Sequence, residues 1–234
     1  MINNSMVTIR LLLAVFALAV GAGACSIPSA SADPGAQDLL LTAEDSPEGY
    51  NPQPQSLDDA LGTLTTIRDW MFGGGAQIDP PTCTAELTWF VSNLIPEDSA
   101  AITIWGPQML LADAVGKGGH PLKDFDSHID TCKKIRVTSG AVIVDAALEK
   151  QEPPKTTATA ARGFKETVTF TLGGFQQTRA VVGFYGSVGT TAALVMGGSR
   201  DLDPSAVSVE TTTSVVSDFY TRQIAKIDKA RPHK

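Results

Sequence analysis

The stretch 165-KETVTFTLGGFQQTRAVVGFYGSVGTTAALVMGG-198 decides the fold. Val168, Phe170 and Leu172 alternate with threonines, the period-two pattern of a strand with one apolar and one polar face. Gly173-Gly174 then supplies the backbone freedom of a tight hairpin turn. Residues 177–187 and 190–198 read as two further strands, with Ser187-Val188-Gly189 as the second turn. Three strands joined by short turns pair most simply as neighbours in an antiparallel sheet.

Working upstream, 133-KKIRVTSGAVIVDAAL-148 gives two more strands around Thr138-Ser139-Gly140, and 100-AAITIWG-106 gives a buried one. Residues 107–119 fit a strand or a helix. Polar residues 149–163, rich in Pro and Thr, read as a connection. The fold class is therefore α+β, with a central antiparallel sheet of about five to six strands flanked by helices.

The helices come from the remaining segments. Residues 56–72 have Ser56 as an N-cap and Asp58 and Asp59 in the first turn, where the helix dipole favours acids, while 63-TLTTI-67 also fits a strand. A second helix covers Thr84 to Leu94. A third lies in 120-HPLKDFDSHIDTC-132, where Pro121 suits the first turn and Leu122, Phe125, Ile129 and Cys132 fall three and four apart. The last follows Asp203 as cap and Pro204, with Val209, Val216, Phe219 or Tyr220, and Ile227 on one face. Its many β-branched residues make it depend on packing against the sheet.

The N-terminus reads as an export signal. A short region whose only charge is Arg10 precedes the apolar run 11-LLLAVFALAVGA-22, which is too short to span a bilayer. Two cuts compete. Ala30-Ser31-Ala32 favours release before Asp33, leaving a signal peptide at 1–32. Alternatively, Ala22-Gly23-Ala24 precedes Cys25, which would become an acylated lipoprotein anchor. Residues 33–55 read as a flexible lead-in whose Leu39–Leu41 cluster tucks onto the body. A single domain follows over 56–228, with a tail over 229–234.

Either cut leaves Cys83 and Cys132 as the two unmodified thiols, and an even pair in an exported chain reads as a disulfide. Closing a loop of that size is worth roughly 4 kcal/mol in the chain-entropy model. The formal charge of −7 disfavours nucleic acid and anionic headgroups as partners. Contact with a membrane is left to a lipid on Cys25, and the chain is expected to be a monomer.

No arrangement of residues points to catalysis, and neither a cofactor nor a metal is expected. Tyr185–Gly189 has Tyr where a nucleophile elbow needs its first Gly, and it sits between two strands. His128 and Cys132 lie four apart on a helix, but no second ligand pair exists at metal spacing. His128 reads instead as a surface residue. Candidate ligand contacts are Trp89 and Trp105, as apolar or sugar platforms, and Lys134 and Arg136, which share a strand face opposite Lys133 and Ile135.

The segments 39-LLLTAEDSPEGY-50, "PPTC" around Cys83 and 125-FDSHIDTCKKIRV-137 resemble mycobacterial exported proteins and lipoproteins related to the extracellular sensor domain of the kinase PknH. The resemblance implies an antiparallel sheet with helices against it, a cleft and a ligand. The sensor domain has two disulfides, whereas this chain can form one. The sequence therefore points to an exported binding module for a small or cell-wall-derived ligand, secreted or held in the wall. A secreted hydrolase with a non-motif site, or an envelope antigen, is the alternative.

Overall fold

The computed structural model describes residues 35–55, 75–83, 98–117, 122–200 and 207–231. Its elements are α1 (Ala36–Leu39), β1 (Asn51–Gln55), β2 (Gln77–Asp79), β3 (Ser99–Trp105), β4 (Met109–Lys117), α2 (Leu122–Thr131), β5 (Lys134–Ser139), β6 (Val142–Gln151), β7 (Ala160–Leu172), β8 (Phe175–Val188), β9 (Thr191–Ser199) and α3 (Val209–Lys229). The strands form one sheet in the order β1-β3-β4-β9-β8-β7-β6-β5-β2, and every pairing is antiparallel.

The α+β class and the flanking helices agree with the sequence, but the sheet has nine strands where five to six were expected. Segment 109–117, open between strand and helix, is β4. The two edge strands carry little sequence signal. β2 has only three residues, and β1 is Asn-Pro-Gln-Pro-Gln. Prolines at alternate positions remove ladder donors, a pattern suited to the edge of a sheet. β1 lies within the segment read as a lead-in.

The period-two alternation sorts the side chains onto two faces. On one face Ile102, Ile104, Leu111, Val115, Phe184 and Val195 pack against Val216, Phe219, Tyr220, Ile224 and Ile227 of α3. On the other, Phe125 and Ile129 of α2 pack over Ile135, Leu148, Phe164 and Leu194. Cys83 and Cys132 close the second core with the expected disulfide, their Cα atoms 5.7 Å apart. This bond agrees with an oxidising, extracytoplasmic setting. Among the described residues no helix is long and apolar enough to cross a membrane.

Helix α2 carries Phe125 and Ile129 on its buried face as expected, and Cys132, just past its last residue, is buried beside them. Helix α3 starts later than Asp203 and Pro204 suggest. Its N-cap is Ser208, whose hydroxyl accepts from the Thr211 N–H at 3.1 Å. The expected helices at 56–72 and 84–94 lie outside the described residues, as do the export segment 1–32 and Cys25.

Candidate functional site

Helix α3 packs on β8 and β9, and α1 on β3 and β4. Beyond that footprint the same face of the sheet continues over β7, β6, β5 and β2, and there most of its side chains are polar. In β7 these are Lys165, Thr167, Thr169 and Thr171, the alternates of Val168, Phe170 and Leu172. The register carries the pattern across neighbouring strands. Thr167, Thr169 and Thr171 stand opposite Ala180, Thr178 and Gln176 of β8, and opposite Ala147, Asp145 and Ile143 of β6. β5 adds Lys134, Arg136 and Thr138, and β2 adds Gln77 and Asp79. Lys134 and Arg136 are exposed, and the threonines are half-buried.

Cross-strand side-chain bonds link the strands over this surface. Arg136 grips Asp145 with both arms of its guanidinium, Nε donating to Oδ1 at 2.6 Å and Nη2 to Oδ2 at 2.9 Å. The pair holds the Asp145 carboxyl below the usual carboxylate range, through the hydrogen bond first and then the charge. Thr169 and Thr178 hydroxyls bond at 2.9 Å, and Lys165 meets Glu149 at 2.6 Å. Among the described residues, three bases (Lys134, Arg136, Lys165) face three acids (Asp79, Asp145, Glu149), so the formal charge of the surface cancels.

The expected candidates are not brought together. Lys134 and Arg136 share this surface as predicted, with Ile135 buried on the opposite face. Trp105 lies on the α2 face of β3, second in the strand order, whereas β5 is eighth. Its ring sits half-buried beneath Arg200, whose guanidinium carbon is 5.9 Å from the ring centroid. Trp89 lies outside the described residues. His128, expected on the surface, is half-buried. Cys132 spends its sulfur in the disulfide, so the two do not form a ligand pair. Among the described residues no group of three or more His, Cys, Asp or Glu side chains converges on a metal-sized site.

A second polar constellation, absent from the sequence reading, lies under α3. Asp113 of β4 is fully buried, its Oδ2 accepting from the Leu41 N–H at 3.2 Å. Gln223, also fully buried, donates from Nε2 to the Leu39 carbonyl at 2.8 Å. Lys226 donates to the Leu40 carbonyl and to Asp45 Oδ2, both at 2.6 Å. Burial pushes the Asp113 carboxyl up to about 7; the Leu41 N–H and the Lys226 charge oppose this and the Asp45 charge reinforces it. Periodicity had no signal for this cluster, because its hydrogen-bonded partners are 72 to 186 positions apart.

No protein-family model matches the chain. No curated protein matches it either. Among solved structures, it is similar to an uncharacterised protein (Rv0999 ortholog) from Mycobacterium smegmatis. The TM-score is 0.45 at 10% identity, over 79% of this chain and 92% of that one.

Proposed function

We propose that the protein is an exported, non-catalytic binding module of the cell envelope, akin to PknH-type sensor domains. Its ligand is a neutral, hydroxyl-rich molecule of the kind that cell-wall glycans provide. The observation that supports this most is the threonine surface of β5–β8. It offers hydroxyls and amides on a lattice whose strands are about 4.8 Å apart, and Arg136 and Lys165 are already ion-paired with Asp145 and Glu149. A neutral polyol exchanges its water hydrogen bonds for equivalent ones on such a surface. An anion would have to separate Arg136 from Asp145, losing a bidentate charge-assisted contact. Arg136 and Lys165 therefore brace the surface, and an anion-contact role for Arg136 is disfavoured.

The protein acts as a monomer in this reading, and release before Asp33 places it outside the cell or loosely in the wall. Mass spectrometry of the protein purified from its native host tests the ligand class and the release. A copurifying uncharged glycan and an intact mass starting at Asp33 support them. A copurifying anionic lipid contradicts the ligand class, and an acylated Cys25 contradicts the release. Esters, peptides and glycans should all stay unconverted by the same preparation, with or without a chelator.

A further inference from the structure

We propose that residues 36–45 form a pH-gated latch, docked under α3 while Asp113 is protonated and loosened as it ionises. The segment is seated as a peptide ligand would be. Leu39, Leu40 and Leu41 are each 2–3% exposed. Their backbone polar groups are met by side chains from distant elements: Gln223 on the Leu39 carbonyl, Lys226 on the Leu40 carbonyl and Asp113 on the Leu41 N–H. Asp45 closes the turn, accepting from the Thr42 N–H and hydroxyl at 2.9 and 2.8 Å, while Arg222 donates to its carbonyl at 3.2 Å.

Two oxygens in this arrangement have no hydrogen-bond partner, Asp113 Oδ1 and Gln223 Oε1. Gln223 cannot turn its amide over, because the Leu39 carbonyl needs a donor. Both oxygens flank the same three residues. One proton on Asp113 removes a buried charge and changes an oxygen that lacks a donor into a donor.

The surroundings give an ionised Asp113 little compensation. On this face the adjoining strands carry Ala100, Ile102 and Ile104 of β3 and Ala193 and Val195 of β9, all apolar. From α3 the charged neighbour is Lys226, which is already shared between Leu40 and Asp45, with Arg222 on the Asp45 carbonyl. From the latch it is Asp45, of like sign, and Asp38 of α1 turns away to its own Gly35 N–H.

The direction of the gate follows from proton binding. A buried carboxyl that ionises near neutrality holds its proton in the docked state over a range where the undocked chain has lost it. The Asp113 contribution to docking is therefore full below the ordinary carboxylate value and is lost as pH rises from there to about 7. Asp45, whose carboxyl is held below its ordinary value, weakens the latch only in stronger acid.

Hydrogen exchange on the full chain, corrected for intrinsic rates and read against the β8 and β9 amides, tests this. Protection of residues 39–41 should fall at least about tenfold between pH 5 and pH 8, one pK unit of coupling, while β8 and β9 stay constant. In Asp113→Asn, which is neutral and keeps an acceptor for Leu41, protection should not change with pH. Equal protection of the wild type at both pH values, or the same fall in the variant, overturns the latch. Should the variant fail to fold, the carbon NMR titration of the Asp113 carboxyl in wild type decides. A midpoint near neutrality supports the latch, and one in the ordinary carboxylate range overturns it.

Discussion

Two residue pairs on the central hairpin show how tightly this sheet is specified. Gly163 of β7 lies opposite Phe184 of β8, and Phe164 lies opposite Gly183, so each ring covers the glycine across from it. A Cβ on Gly163 would come within 2.7 Å of the Phe184 ring, and one on Gly183 would collide with Phe164. Gly183→Ala should therefore destabilise by about 1–3 kcal/mol through overpacking, read as a lower urea midpoint at unchanged slope. Adding Phe164→Leu should recover part of the loss, the signature of coupled neighbours. A Gly183→Ala protein as stable as wild type would contradict this packing. The glycines are plain in the sequence, but their purpose is not. It depends on the register between β7 and β8, which no local pattern specifies.

Legibility at the scale of the element follows periodicity. β7 could be read because threonine alternates with Val168, Phe170 and Leu172, and the same alternation is what builds the polar surface. α2 could be read because Phe125, Ile129 and Cys132 recur at helical spacing. β1 and β2 could not, since Pro52 and Pro54 resemble a linker and Gln77–Asp79 is shorter than any pattern. At α3 both Asp203 and Ser208 are acceptable caps, and the structure uses Ser208. Ser208→Ala should cost about 1 kcal/mol, seen as a lower thermal midpoint, and Ser208→Asp should restore it. No loss on removing the hydroxyl would show that α3 owes its start to packing alone.

Across the whole molecule, what could be read was what counting reveals. The two thiols that remain after either expected export cut predicted the Cys83–Cys132 bond, which ties the turn before residue 84 to the end of α2. The Asp113, Gln223 and Lys226 cluster could not be read, because it is assembled by the sheet order and not by spacing. The polar surface was half visible: Lys134 and Arg136 were placed on one face, but the threonines of β7 that complete it lie more than thirty positions later. That surface is the proposed site for a neutral, hydroxyl-rich ligand. Its most direct test is an NMR titration of the full chain with uncharged cell-wall oligosaccharides, following amide shifts. The account predicts saturable shifts confined to residues around Thr138, Asp145, Thr167, Thr169 and Thr178. Saturable shifts centred elsewhere, or none under any uncharged glycan while an anionic one shifts Lys134 and Arg136, would contradict it.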